Sequence, residues 1–308
     1  MPVAIPFTKM VGTGNDFIVV DTLRHRLTPL TTRWRAVSRT LCDRRAGVGA
    51  DGLLVLEPSR IAAVRMRVFN PDGSEAGFCG NGARCVAVYL TGGSTGQAAD
   101  RVAERPVAIQ AKTGLLAAVV RGDQVSLQMP DPVAFRLDLP VDIGEHRFRV
   151  GFVNTGVPHA VVPVDALDEV DVDRTGWALR HHRHFAPRGA NVDFVQVDAR
   201  RPNRLRVRTY ERGVEAETLA CGSGIVASAI VHALSGGERL GLLRARGNGP
   251  ARPCRIDVEA RSGDVLTVSF SVVPEGRAPR VTDVVLEGAA RRVFAGTVHW
   301  PLRRGAWT

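Results

Sequence analysis

The sequence predicts an α+β fold of two pseudo-symmetric domains, each a strand-rich, barrel-like wrap around one buried central helix. Three observations carry that expectation. Phe78-Cys79-Gly80-Asn81-Gly82 and Ala220-Cys221-Gly222-Ser223-Gly224 share one pattern and lie nearly half the chain apart. Each leads into a helix that is apolar almost all round, Ala83–Leu90 and Ile225–Leu234, which implies burial on every side. Short β runs separated by Gly and Pro turns fill much of the rest.

In chain order, the first half offers strands at Phe17–Val20, Leu53–Leu56, Met66–Phe69, Val107–Ala111, Leu115–Val120 and Val125–Met129. A surface helix is expected at Thr31–Leu41. The second half offers strands at Phe148–Val153, Ala160–Val164, Phe194–Val197, Leu205–Tyr210, Ile256–Ala260, Leu266–Val272 and Val281–Leu286, with short helices at Asp165–Leu167 or Arg174–His182. Gly92-Gly93 and Gly236-Gly237 stop the two central helices, because glycine readily takes the left-handed C-cap conformation. Upstream of each cysteine, a strand runs into a polar loop: Arg67–Glu75 in one half, Arg208–Glu215 in the other. The expected division is 1–128 with 282–308 against 129–281.

Composition narrows the class. The 308 residues suffice for two cores, and 44% hydrophobic content fits a globular chain. Met1–Phe7 lacks the charged and apolar regions of a signal peptide, and no apolar stretch reaches membrane-spanning length. Five cysteines, odd in number and not framework-spaced, point to reduced thiols and a cytoplasmic location. The net charge of +10 comes almost wholly from scattered arginines, and Arg180-His181-His182-Arg183-His184 lacks interleaved aromatics, so nucleic acid is not an expected partner.

The two motif cysteines carry the chemistry. A helix N-terminus lowers a thiol's pKa, and the following glycines let backbone N–H groups approach a carboxylate. Two such sites would hold an amino acid's carboxylate with one sulfur on each side of its Cα. One sulfur must be thiolate to take the proton, the other thiol to deliver one. Cys42, Cys85 and Cys254 read as structural. No metal site is expected, because no cysteine pair or histidine cluster has ligand spacing. Gly47-Val48-Gly49-Ala50-Asp51-Gly52 satisfies a dinucleotide fingerprint only formally: it precedes a strand instead of following one, and reads as a turn.

Together the motifs resemble the diaminopimelate epimerases over about residues 5 to 300. The resemblance rests on Gly12-Thr13-Gly14-Asn15-Asp16-Phe17, Phe69–Glu75, Cys79-Gly80-Asn81-Gly82-Ala83-Arg84-Cys85, Gly156-Val157-Pro158-His159, Gly189–Phe194, Tyr210–Gly213 and Glu217–Gly224. It implies a two-base epimerase, independent of pyridoxal phosphate or any other cofactor. Such an enzyme interconverts LL- and meso-2,6-diaminopimelate for lysine and peptidoglycan precursors. By that resemblance Cys79 and Cys221 are the acid–base pair, and backbone at Gly80, Asn81, Gly222 and Ser223 holds the reacting carboxylate. Asn15, Asn70, Asn191 and Arg212 fix the distal end, while His159 and Glu211 tune the cysteines, Glu211 also lying at the substrate. It further implies a homodimer with Phe294 at the interface. Val157 stands where many members carry a substrate-contacting Asn, and Gly52 where some carry Gln. Two alternatives remain: a proline or hydroxyproline racemase-like enzyme, which has no use for the distal Asn and Arg set, and a redox-regulated thiol binding protein.

Overall fold

A computed structural model describes residues 2–27, 30–92, 103–236, 252–273 and 280–301. The chain divides into two compact units, one of residues 1–127 and 288–308, the other of 128–287.

In the first unit the strands are β1 (Val3–Gly12), β2 (Asn15–Asp21), β3 (Gly52–Glu57), β4 (Val64–Phe69), β5 (Glu75–Ala76), β6 (Arg105–Ala111), β7 (Gly114–Arg121) and β8 (Gln124–Gln128), joined by the latter part of β17 (Arg280–Trp300). Pairing runs β1–β2–β3–β4–β6–β7–β8–β17 and returns to β1, a closed eight-stranded barrel. Closure removes the exposed edges that invite aggregation. Inside lies α2 (Gly80–Thr91), buried from Gly80 to Tyr89.

The helix α1 (Trp34–Leu41) is shorter than expected, and it is more than a surface element. Its Trp34, Val37, Ser38 and Leu41 fall on one face and are buried. Fully enclosed Trp34 joins Ile18, Val55 and Phe69 in one core cluster.

The second unit repeats this order of strands around one buried helix. Its strands are β9 (Val133–Ile143), β10 (His146–Asn154), β11 (Pro158–Pro163), β12 (Asn191–Val197), β13 (Arg204–Glu211), β14 (Ala216–Thr218), β15 (Arg252–Glu259), β16 (Val265–Val273) and the first part of β17. Among the described residues they pair in the order β9–β10–β11–β12–β13–β15–β16–β17. The β10–β11, β12–β13 and β15–β16 pairs are antiparallel while β11–β12 and β13–β15 are parallel. The first unit shows the same sequence of directions from β1 to β7. Its counterpart of α2 is α4 (Gly222–Gly236), buried almost throughout. The helix α3 (Val172–Arg180) starts two residues before the expected position, where the Asp171 carboxylate caps the Arg174 N–H at 3.0 Å. Residues 165–167 lead instead into a single 3-10 turn, Leu167–Glu169.

The repeat extends to side chains. Arg67 binds Glu75 through two hydrogen bonds of 2.8 and 2.9 Å, tying β4 to β5. Arg208 binds Glu217 at 2.7 and 2.8 Å, tying β13 to β14. Each forked pair fixes the strand that delivers a motif cysteine to its helix.

One reading is corrected by the structure. The Cys-Gly-x-Gly segments do not precede the central helices; their glycines form the first helical turn, so α2 begins at Gly80 and α4 at Gly222. Gly92 ends α2 with φ of 67°, as a left-handed C-cap. Gly93 and Gly237 lie outside the described residues.

Candidate active site

In the first unit, Cys79 is the N-cap of α2. Its backbone is extended, and its Sγ accepts the Gly82 N–H at 3.3 Å. The first turn of a helix presents backbone N–H donors that intrahelical bonding leaves over, and this sulfur sits among them. Cys79 is half-buried.

Asn15 reaches the same helix from the β1–β2 hairpin. Thr13 and Gly14 have φ of 53° and 77°, the left-handed pair that a tight two-residue turn requires. That turn leads into Asn15 at the start of β2, where its Oδ1 accepts from Asn81 Nδ2 at 2.5 Å and its Nδ2 donates to Asp51 at 3.1 Å. Asn81 in turn accepts from buried Arg84 at 2.7 Å, and Arg84 also donates to the Thr13 hydroxyl at 2.5 Å. Helix and hairpin pack closely: a Cβ on Gly12 would stand 3.0 Å from the Asn81 carbonyl oxygen. Asn70 follows β4 on the loop toward Cys79, with its amide donating to Ser74 at 2.9 Å. A Cβ on Gly52 would lie 3.2 Å from the Phe69 carbonyl, so backbone occupies this position closely.

Behind Asn15, buried Lys9 pairs with Asp16 at 2.7 Å and donates to the Gly49 carbonyl. Arg44 bridges Asp16 and Asp51 at 2.7 and 2.6 Å. Burial opposes the Asp16 charge, but hydrogen bonds from Arg44 and Lys9 outweigh it and hold the carboxyl well below the ordinary carboxylate range. A carboxyl depressed on folding contributes stability above its unfolded pKa of about 4, and forfeits it as pH falls toward the folded value. Thermal midpoints recorded downward from pH 5 should therefore fall in the wild type and fall less in Asp16→Asn. Equal slopes would remove Asp16 from the acid response.

In the second unit the polar residues form one buried chain. Parallel pairing sets His159 of β11 opposite Asn191 of β12, and Asp193 follows two residues on, on the same face. His159 Nδ1 lies 2.7 Å from Asp193 Oδ2, and the Thr209 hydroxyl donates to Asp193 Oδ1 at 2.8 Å. His159 Nε2 lies 3.0 Å from Ser223 Oγ and 3.3 Å from Asn191 Nδ2. Ser223 Oγ is 3.5 Å from Cys221 Sγ. The Thr155 hydroxyl holds the Ser223 carbonyl at 3.0 Å. His159 and Asp193 are both 0% exposed.

The expected acidification of Cys221 by its helix is reversed. Burial pushes its thiol well above the ordinary value, and the Glu211 and Asp193 carboxylates push the same way; Ser223 and the Gly224 N–H pull back more weakly. Burial also raises the Glu211 carboxyl. Ser223 contributes more than the expected backbone, since its hydroxyl bridges His159 and Cys221. The Arg212 N–H is held by Asn191 Oδ1 at 2.8 Å, and its guanidinium donates to the Arg188 carbonyl at 3.5 Å. Burial, with Arg180 and Arg188 nearby, lowers the Arg212 pKa. Val157, without a polar side chain, accepts the Thr155 N–H on its carbonyl at 3.1 Å. Asp193, Thr209 and Thr155 were not singled out from sequence. The available signal was the alternation Asn191-Val192-Asp193, two polar residues on one face of an apolar strand.

Phe294 is 47% exposed and meets the Phe7 ring edge-on at 5.8 Å between centroids. Among the described residues, no group of His, Cys, Asp and Glu is arranged to hold a metal ion, and no helix is long and apolar enough to cross a membrane.

Comparison with known proteins shows what this chain is similar to. The family profile described as diaminopimelate epimerase matches residues 7–134 and 151–268. A diaminopimelate epimerase of Chlorobaculum tepidum is 38% identical over 294 residues, covering 94% of this chain and 99% of that protein. Another, from Methanothrix thermoacetophila, is 42% identical over 251 residues, covering 78% and 83%. Among solved structures, a hydroxyproline epimerase from Agrobacterium vitis superposes with a TM-score of 0.66 at 18% identity, covering 96% of this chain and 91% of that one, a likeness of fold.

Proposed function

Since the chain belongs to the diaminopimelate epimerase family, we propose that Cys79 and Cys221 are the acid–base groups with which it interconverts LL- and meso-2,6-diaminopimelate. The protein is an isomerase, an amino-acid epimerase of diaminopimelate metabolism. The supporting observation is the repeat itself: each unit sets one cysteine at the start of one buried helix, in matching strand frames.

Inversion at a carbon needs a base on one face and an acid on the other. A thiolate removes the α-proton, a thiol returns one, and the sulfurs exchange roles between the two directions. Cys79, capped by the Gly82 N–H, suits the thiolate, and Cys221, kept protonated by burial, suits the thiol. N–H groups at Gly80, Asn81, Gly222 and Ser223 bind the reacting carboxylate and stabilise the carbanion's charge. Asn15, Asn70, Asn191 and Arg212 recognise the distal end, the guanidinium matching a carboxylate. His159 and Glu211 tune the pair. The enzyme acts as a cytoplasmic homodimer with Phe294 in the subunit contact.

Turnover in deuterated water tests the two-base reading. Product formed in the first few per cent of reaction should carry solvent deuterium at the inverted carbon, while recovered substrate stays unlabelled. Early label in the substrate would show a single base serving both faces.

A further inference from the structure

We propose that Asp193 is a positioning residue for Cys221: it holds His159 with its proton on Nδ1, so that the Ser223 hydroxyl can carry a proton between Cys221 Sγ and His159 Nε2. The proposal rests on Cys221 being one of the two acid–base groups.

The polarity of the chain follows from a backbone donor. The Arg212 N–H can only donate, so the oxygen of the Asn191 amide must face it, at 2.8 Å. That orientation turns Asn191 Nδ2 toward His159 Nε2 at 3.3 Å. Facing a donor, Nε2 presents its lone pair, and the imidazole proton resides on Nδ1, where Asp193 Oδ2 accepts it at 2.7 Å. The same lone pair can accept the Ser223 hydroxyl at 3.0 Å, leaving the Ser223 oxygen to accept from Cys221 Sγ at 3.5 Å.

A proton can then leave Cys221 without crossing solvent. The S–H bond breaks as Ser223 Oγ takes the proton, and the Ser223 O–H proton passes to His159 Nε2. The products are a thiolate, an intact hydroxyl and an imidazolium held against the Asp193 carboxylate; the return path restores the thiol. Cys221 needs such a route, because burial otherwise keeps it protonated when its turn as base arrives.

The fold alone does not demand a carboxylate here. In the matching register of the first unit, Phe17 pairs with Gly52 and Leu53 with Phe69, as His159 pairs with Asn191 and Val192 with Tyr210. Phe17 and Leu54 therefore occupy the places of His159 and Asp193. Leu54 lies beneath Gly82 of its helix as Asp193 lies beneath Gly224. The same scaffold packs well with hydrocarbon at both positions, so the polar pair serves chemistry. Among the described residues, Glu211 of β13 also faces this chain, adding its field to Cys221 and His159.

The test compares Asp193→Asn, Ser223→Ala and Ser223→Thr with the wild type, each checked for a wild-type-like melting transition. Alkylation of Cys221 by iodoacetamide is followed by peptide mass spectrometry, with Cys79 in the same sample as reference, alongside kcat and KM against pH. A simple field effect and the relay predict opposite signs. Removing a nearby negative charge eases thiolate formation and speeds alkylation, whereas disabling the relay slows it. We expect slower Cys221 alkylation in D193N and S223A with the Cys79 rate unchanged. We also expect kcat lower by about 10²-fold, KM within about threefold and partial recovery in S223T. Cys221 alkylation that is unchanged or faster overturns the proposal, whatever kcat does. Should D193N misfold, Asp193→Ser, which removes the same charge, decides on the same criterion; S223A alone does not, because losing its hydrogen bond raises the Cys221 thiol directly. Retained turnover in Cys221→Ala would instead strike at the two-cysteine reading, a separate failure.

Discussion

Cys79→Ala and Cys221→Ala each reduce epimerisation by about 10³-fold or more, because a positioned acid–base group supplies about 10²- to 10⁴-fold and inversion needs one on each face. The two losses are not additive. Once either sulfur is gone the other has no partner reaction, so the double variant is no slower than the singles. The changes remove one small side chain each and leave the helices formed, so melting temperatures stay close to that of the wild type. Cys254→Ala, which alters a buried thiol on β15 remote in sequence from both motifs, retains turnover. The assay follows the optical rotation or proton spectrum of LL-diaminopimelate as the meso form accumulates. Turnover in Cys79→Ala above about a tenth of the wild-type rate would count against a pair and in favour of a single base.

The second large effect falls on a glycine. Gly82 and Gly224 hold the same place in the two motifs, yet their surroundings differ. A Cβ at 82 would meet the Leu54 Cδ2 methyl at 3.0 Å, and the tip of a leucine can shift. A Cβ at 224 would lie 2.2 Å from Asp193 Oδ1 and 3.3 Å from His159 Cε1, both held by hydrogen bonds in a closed core. Alanine is favoured over glycine in a helix by about 1 kcal/mol, which offsets the milder contact. Gly82→Ala is therefore close to neutral in stability. Gly224→Ala loses about 2 kcal/mol net, since overpacking costs about 1–3 kcal/mol and here displaces a paired carboxylate. Its kcat falls as well, as His159 is pushed off Ser223. Urea unfolding and steady-state kinetics on both variants separate the cases. Equal stability of the two would mean that Asp193 has room to yield.

Much of the frame was legible in the chain. The all-round apolar helices, the paired motifs and the strands of strict alternation are local signals, and they placed the central helices and most strands. β1 and β9 escaped because Pro6 and Pro140 interrupt their patterns, although proline is tolerated at positions where no ladder hydrogen bond is lost. Trp34 falls in an expected surface helix because the eleven mostly polar residues Thr31–Leu41 do not reveal that one face closes a core. Cysteine before glycine looked like a turn since an N-cap and a turn share the same residue preferences.

As a string of residues, the chain already carries the two-fold repeat, the two motif cysteines and the marks of its family. Those are properties of residue type and spacing. Pairing of strands distant along the chain is what buries Cys221 and raises its thiol, sets the Ser223 side chain between it and His159, and adds Asp193 to the hydrogen-bond chain. Charge state and proton routes depend on burial and on distances between strands far apart in sequence. Hydrogen bonds from β11, β12 and α4 meet at His159 only once these strands have paired and packed against the helix.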